Sequence, residues 1–285
     1  MSRYPKIELA GAVVVITGGA RGIGAATARL FADRGADVWI GDVDDVVAKE
    51  TANGIPNAHS GALDVTKPES WAGFLDQVRA ESGPVDILIN NAGVMPLGGF
   101  IEENERTTDL ILDVNVRGPL NGARAVLPQM VARGRGHVVN VASMAGKLAV
   151  PGMVTYNASK FGAVGLSVAL RKEYGNTGVS VSCVLPSAVR TELASGAPLG
   201  KGMPTVDPED VAAAVVRSVD TRRAQISVPG WLAFGWCLVD LFVPEPVERL
   251  ARRLIDDRRA LTSLDLNARG AYIERIERQS KEHQK

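Results

Sequence analysis

Between Ser143 and Lys160 the chain reads Ser-Met-Ala-Gly-Lys-Leu-Ala-Val-Pro-Gly-Met-Val-Thr-Tyr-Asn-Ala-Ser-Lys. Three of these side chains could together move a proton. Tyr156 and Lys160 stand four apart, so a helix opening near Tyr156 puts both on one face. A phenol with an ordinary pKa of about 10 is a poor base at neutral pH. A nearby ammonium favours the phenolate. Bringing the phenol to about 7 takes about 4 kcal/mol, which a close charge can supply in a site partly shielded from water. Ser143 ends a strand-like run, where its hydroxyl can hydrogen-bond a carbonyl oxygen. The three residues suit proton transfer with stabilisation of a developing oxyanion. The same spacing also suits the rim of an amphipathic helix, so the decision rests on the elements that would position the residues.

The first of these elements lies far upstream. Ala12 to Thr17 is a short apolar run fit for a buried parallel strand. The turn Gly18-Gly19-Ala20-Arg21-Gly22-Ile23-Gly24 follows, and Ala25 to Arg34 has helical periodicity. Strand, glycine turn and helix in that order are what a pyrophosphate site requires: the backbone can approach the phosphates and the helix N-terminus points amides at them. Asp37 to Gly41 is a second apolar run, ending at Asp42. An acid about 20 residues past the glycines can accept hydrogen bonds from a ribose and repel the extra phosphate of NADP. Val43 follows it, with no arginine to hold that phosphate. Arg21 is the dissenting residue, and a helix N-cap ahead of Val43 to Asn53 is the alternative use of Asp42. The expected cofactor is therefore NAD, with NADP the lesser alternative.

The alternation continues. Ala58 to Leu63 leads to Asp64-Val65, Trp71 to Ala80 reads as a helix, and Val85 to Asn90 is a strand closed by Asn91-Ala92-Gly93. Glu105 to Arg133 reads as one or two helices interrupted near Gly118-Pro119, with the polar Asn115 inside. His137 to Ala142 is a fifth strand that delivers Ser143 at its C-terminal end, the end where ligands bind in open α/β sheets. The helix carrying Tyr156 and Lys160 runs to about Tyr174. Val179 to Leu185 is the sixth strand, Ser187 to Thr205 a long loop of the kind that covers substrates, Asp207 to Val219 a helix, and Ala224 to Val228 a seventh strand. The pattern predicts an α/β fold with a doubly wound parallel sheet of about seven strands and helices on both faces.

Composition narrows the function. The 285 residues suit one large α/β domain, with 46% hydrophobic and 22% charged residues. Lys plus Arg and Asp plus Glu are both 32, so there is no basic excess to hold nucleic acid. Two cysteines, Cys183 and Cys237, make no disulfide framework, and Cys183 reads as a buried thiol. His59, His137 and His283 have no metal-site spacing, so no metal is expected. No apolar signal core opens the sequence and no apolar run is long enough to span a bilayer, which makes the cytoplasm the default compartment.

With these motifs in order, the chain resembles the short-chain dehydrogenase/reductase family over residues 10–230. The resemblance is carried by Thr17-Gly18-x-x-x-Gly22-Ile23-Gly24, Asp64-Val65, Asn90-Asn91-Ala92-Gly93, Asn115, Ser143, Tyr156-x-x-x-Lys160 and Pro186-x-x-Val189-x-Thr191. It implies a Rossmann-like fold and an NAD(P)-dependent enzyme acting on alcohols or carbonyls. Tyr156 would be the general acid/base. Lys160 would lower its pKa and bind the nicotinamide ribose. Ser143 would hold the substrate oxygen, and Asn115 would position a water in the proton relay. Asp42 would take the adenosine ribose, Asp64 and Val65 the adenine, and Thr191 the carboxamide. Gly18, Arg21, Gly22, Ile23, Gly24, Asn91, Ala92, Gly93, Pro186 and Val189 complete the implied cofactor set. Ser187 stands where the family usually has glycine, so crowding of the nicotinamide is an open question. A homodimer or homotetramer is implied, with helices around Asn115 and Tyr156 in the contact.

Residues 1–230 are thus expected to form the catalytic domain and 231–285 a helical extension, packed on it or on a partner subunit. In the extension, Trp231 to Val243 is apolar except for Asp240, too short to span a bilayer. Its expected place is over the substrate mouth, with core packing, subunit contact and peripheral membrane contact as alternatives. Val247, Leu250, Leu254 and Leu261 share one helical face, and the polar tail from Asn267 is expected to fray. Val94, Met95, Pro96, Leu97, Val150, Met153 and Val154 would flank the nicotinamide, with Lys147 and Arg190 the only cations nearby. Such a site suits a neutral, lipophilic alcohol, ketone or aldehyde of steroid, retinoid or long-chain type. A non-enzymatic NAD-binding sensor or scaffold, or a non-redox lyase or isomerase, are the alternatives.

Overall fold

The sheet has seven parallel strands; the central ones are buried on both faces, so side chains of either parity can be apolar there, whereas the two edge strands are only partly buried. The computed structural model describes residues 4–197, 204–232 and 259–283. Strands β1 (Val13–Thr17), β2 (Asp37–Asp42), β3 (Ala58–Ala62), β4 (Ile87–Asn90), β5 (Gly136–Val141) and β6 (Val179–Pro186) are joined in one sheet by β9 (Gln225–Val228), in the order β3-β2-β1-β4-β5-β6-β9. Every pairing is parallel. The order reverses between β1 and β4, and a crevice opens there at the carboxyl ends of the strands. Two short strands, β7 (Ala188–Val189) and β8 (Thr205–Val206), pair beyond the sheet.

Alternate strand residues build two cores. Val14, Ile16, Val38, Ile40 and Ile89 face one side, against α1 (Gly22–Ala32), α2 (Asp45–Asn53) and α7 (Pro208–Thr221). Val13, Val15, Trp39, Leu88 and Val138 face the other, against α3 (Pro68–Glu81) and α5 (Gly118–Ala132). Fully burying one such side chain contributes roughly 1.5–3 kcal/mol. The helices α4 (Glu105–Leu112) and α6 (Val154–Tyr174), with α8 (Arg259–Thr262) and α9 (Leu266–His283), complete the described elements. Cys183 is buried and free, as expected.

Three details differ from the sequence expectation. The acid that caps α2 is Asp44, whose side chain accepts the Val47 N–H, and the helix starts at Asp45; Asp42 is left to the strand end. The long helical region breaks one turn earlier than Gly118-Pro119, in a π-helical turn over Asp113–Arg117 that contains Asn115. Such turns often sit at functional sites because the extra residue re-aims its neighbours. Pro119 lies in the first turn of α5, where its missing N–H costs nothing. Finally, the tail from Asn267 does not fray: it is the 18-residue α9, with Arg269, Tyr272, Ile276 and Ser280 buried along one stripe.

Candidate active site

A cavity of about 1030 Å³ runs along the carboxyl ends of the strands, from Asp42 and Asp64 at one end to Ser143 and Tyr156 at the other. Its dinucleotide half is built by the glycine turn. Gly24 has no room for a side chain, since a Cβ there would lie 2.2 Å from the Gly18 carbonyl and 2.7 Å from the Asn91 amide nitrogen. Asn91 explains that closeness: its Nδ2 donates to the Thr17 and Gly18 carbonyls at 3.0 and 2.9 Å, and the Asn91 and Ala92 N–H groups donate to Thr17 Oγ1. Asn91 therefore braces the turn from β4. No side chain caps the N-terminus of α1, so its first-turn amides are free for an anion. Ser187 Oγ is buried beside the cavity with no hydrogen-bond partner among the described residues. Uncapped amides, a ribose-height carboxylate and an unpartnered hydroxyl fit a dinucleotide.

Asp42 accepts the Ala20 and Asp44 N–H groups, both at 3.1 Å. Burial lifts its carboxyl above the ordinary value, against the pull of those amides and of Arg21. Arg21 is not free to recruit a second phosphate. Its guanidinium lies 2.7 Å from the Asp44 carboxylate and 3.8 Å from that of Glu192, and Arg21 holds Asp44 below the ordinary carboxylate range. Gly22 approaches Thr191, and Ile23, Gly93, Pro186, Val189 and Thr191 line the same cavity. Asp64 and Val65 line it too, while the Asp64 carboxylate takes the Thr66 N–H and hydroxyl at 3.0 and 2.7 Å.

At the other end, Ser143 stands just past β5 and caps a short 3₁₀ turn, Met144–Gly146. Its Oγ accepts the Ala145 N–H at 3.0 Å, so its own proton remains for a second partner. Tyr156, two residues into α6, faces the same space. Asn115 and Lys160 stand behind the cavity wall, at 1% and 6% exposure. A side chain on Gly93 would meet Asn115 Oδ1 at 3.3 Å and Lys160 Nζ at 3.5 Å, so the missing Cβ leaves a window from the cavity to both. The Asn115 amide exchanges two hydrogen bonds with the Val94 backbone, both 2.9 Å, and donates to Ser159 Oγ at 3.0 Å. Ser159 in turn donates to the Tyr156 carbonyl. The π turn thus ties the start of α6 to the segment after β4.

Burial dominates the charge balance of this pair. Burial raises the Tyr156 phenol well above its ordinary range, and the Ser143 hydroxyl only partly offsets this. Lys160 lies 5.6 Å from the centre of the tyrosine ring and is itself pushed down by burial to about 8. Its nearest hydrogen-bond acceptor among the described residues is the Val141 carbonyl, at 3.4 Å. Desolvation is the largest influence on both groups and favours the uncharged form of each. Tyr156 is a neutral phenol in this state, ready to donate.

The substrate end is apolar, but not with the set of residues expected. Val94, Met95, Val150 and Met153 line it, whereas Pro96, Leu97 and Val154 do not. Leu110, Val114, Leu193, Ala194, Tyr272 and Ile276 line it instead. Lys147 and Arg190 are also off the wall. Among the described residues the lysines and arginines lining the cavity are Arg21, Lys67, Arg275 and Arg278, and Arg275 pairs with Glu192 at 2.7 Å. Tyr272, Ile276 and Arg275 belong to α9, which packs on Leu110 and Ile111 of α4. Sequence reasoning missed this wall because only two of its four buried stripe residues are hydrophobic. The clue was their spacing, 269, 272, 276 and 280, which is helical. The residues expected to cover the mouth, Trp231 to Val243, lie outside the described residues beyond Leu232, as do Val247, Leu250 and Leu254. Trp231 is 63% exposed, and Leu261 is exposed as well.

Among known proteins, the family model for short chain dehydrogenases matches residues 12–200. Oxidoreductase UcpA of Escherichia coli strain K12 is 34% identical over 220 residues, 76% of this chain and 83% of its own length. Rat estradiol 17-beta-dehydrogenase 11 is 33% identical over 256 residues, 87% of this chain and 86% of its own. Rat 17-beta-hydroxysteroid dehydrogenase 13 is 31% identical over 254 residues, 87% of this chain and 84% of its own. The crystal structure of a short-chain dehydrogenase/reductase from Burkholderia phymatum in complex with NAD superposes with a TM-score of 0.73 at 29% identity, covering 80% of this chain and 92% of that one. A family match across most of the sheet, joined to relatives that extend past β9, means that this chain belongs to the short-chain dehydrogenase/reductase family.

Proposed function

We propose that this protein is an NAD-dependent oxidoreductase that interconverts a neutral, lipophilic alcohol and its ketone or aldehyde. The observation that carries the reading is the pairing of two hydroxyl groups, those of Ser143 and Tyr156, over an apolar space that opens through Gly93 onto Lys160 and Asn115. Bound NAD would supply hydride acceptance and donation next to that space. Ser143 orients the substrate oxygen with its hydroxyl proton. Tyr156 gives that oxygen a proton in reduction and recovers it in oxidation. Lys160 holds positive charge beneath the tyrosine and faces the nicotinamide ribose, and Asn115 fixes the register of α6 against the segment after β4. Asp42 takes the adenosine ribose, Asp64 and Val65 the adenine, and Thr191 the carboxamide.

The pairing of Arg275 with Glu192, and of the buried Arg269 behind the wall with backbone carbonyls, supports a neutral substrate. The names of the hydroxysteroid dehydrogenase relatives favour a rigid polycyclic alcohol within this class. Reduced-nicotinamide absorbance during turnover, followed across steroids, retinoids, long-chain alcohols and matched hydroxy acids, tests the reading. Neutral compounds should be turned over at least tenfold more efficiently than the acids, on the order expected for an unpaired buried charge. No absorbance change with any alcohol or ketone would leave the sensor or the lyase reading in its place.

Cofactor choice follows from Asp42 and from the engaged state of Arg21. Wild-type protein should bind NADH more tightly than NADPH. Asp42→Ala should narrow the gap about tenfold, because it removes a carboxylate that repels a phosphate. A wild-type preference for NADPH would mean that Arg21 leaves Asp44 when cofactor binds.

The same reading assigns α6 a partner. Val154, Phe161 and Val168 are seven apart and exposed, and Leu112 of the neighbouring α4 is exposed as well. A second copy of the chain covering this stripe would give the dimer implied by the family, and a monomeric sedimentation profile would exclude it. Among the described residues no helix is long and apolar enough to cross a membrane.

A further inference from the structure

Arg269 is 2% exposed, and none of its hydrogen bonds goes to a carboxylate among the described residues. Taking a guanidinium out of water costs several kcal/mol unless its donors are matched. They are matched here by carbonyls from two separate loops. One nitrogen donates to the Met95 carbonyl at 2.5 Å, and another to the carbonyls of Leu193 and Ser195 at 3.2 and 2.7 Å. The guanidinium also lies 4.6 Å from the ring centre of Tyr272. Tyr272 completes the tie: its hydroxyl accepts the Met95 N–H at 2.7 Å. Both polar groups of Met95 are therefore held from α9, and so is the segment that follows β7.

Gly196 shows independently that the contact is built in. Its φ is +67°, and a Cβ there would sit 2.3 Å from the Asp265 carbonyl and 3.0 Å from the Arg269 Cβ. The Asp265 N–H donates to the Gly196 carbonyl at 3.0 Å. The loop and the start of α9 approach as closely as backbones can. Met95 and Leu193 are also substrate-wall residues, and Tyr272 lines the cavity between them.

We propose that Arg269 and Tyr272 are positioning residues of the substrate site, fixing its two walls, Met95 and Leu193–Ser195, at the separation a bulky apolar substrate occupies. This rests on the oxidoreductase reading for the identity of the substrate, but not for the mechanical tie. A guanidinium suits the task because its rigid planar fork reaches two loops at once, which a single ammonium does so less well. The site gains a fixed width at the cost of a buried charge.

The test compares wild type with Arg269→Met, Arg269→Lys and Tyr272→Phe, using NADH fluorescence titration, steady-state kinetics on one bulky and one small alcohol, and hydrogen exchange. Arg269→Met should leave the NADH Kd within about twofold, raise KM for the bulky alcohol about tenfold, and change KM for the small one about threefold or less. Arg269→Lys should recover part of the loss, and Tyr272→Phe should show a smaller loss of the same kind. Amides in segments 93–97 and 187–197 should exchange faster in Arg269→Met, with the central strands unchanged. Unaltered exchange in both segments, or an NADH Kd that rises in step with KM, would overturn the proposal. A wild-type protein that binds NADH but oxidises no alcohol would instead remove the redox reading, and the exchange experiment would still decide the role of Arg269.

Discussion

Replacing Tyr156 with phenylalanine should lower kcat by about 10²–10⁴, the usual contribution of a positioned proton donor, while the NADH Kd stays near the wild-type value. The ring is packed against Met95, Ala145 and Ala194, and phenylalanine keeps all of that surface. What disappears is the hydroxyl and its interaction with Ser143. Loss of kcat without loss of cofactor affinity marks an interaction made in the transition state only. Turnover within about tenfold of wild type would remove Tyr156 from the chemistry.

Lys160→Met should make the protein a poorer enzyme and a more stable one. Turnover should drop about as far as in Tyr156→Phe, and NADH should bind more weakly. The stability effect follows from burial. The unfolded chain holds the lysine proton up to the ordinary value of 10.5, whereas the folded chain releases it near about 8. Between these values the unfolded state binds more protons, so wild-type stability rises with pH through this window and carries the full penalty below it. The penalty is about 3 kcal/mol. Methionine has similar length and no charge. Urea unfolding of cofactor-free protein at about pH 7 should show the variant more stable by an amount of that order, with the difference shrinking towards about pH 10. A variant less stable than wild type at neutral pH would show that Lys160 has a counter-charge in the folded protein.

The sheet, the glycine turn and the Tyr156 helix were legible because each has a local signature. A buried parallel strand such as Val13–Thr17 reads as an apolar run, Val179–Pro186 reads as one interrupted only by Ser180 and Ser182, and α6 ends at Tyr174 where its periodicity stops. What escaped depends on contacts between distant segments. Asp44 and Asp42 are both acids in the right place, and only the fold shows that one caps α2 and the other stays at the strand end. The π turn around Asn115 is a change of hydrogen-bond register that propensity does not encode. The direction of the Tyr156 shift needed burial, which spacing cannot supply. Arg269 looked like one charge in a polar tail. Its partners are 174 and 76 residues away in sequence, at Met95 and Leu193, so no window of neighbouring residues could have found them.

Those separations also set an order of construction during synthesis. The glycine turn, Asp42 and the Tyr156 helix all precede α9 in the chain, and so do both loops that α9 ties. A nascent chain that has released β9 but not yet Arg269 already owns every strand of the sheet and the whole glycine turn. It can close around a dinucleotide while its substrate walls are still unfastened. Contacts of such long range form late because the loop between them must first be closed. The residues that tie the substrate walls are thus the last of the described site residues to be synthesised, so a chain that stops before Arg269 is expected to have its dinucleotide half without that tie.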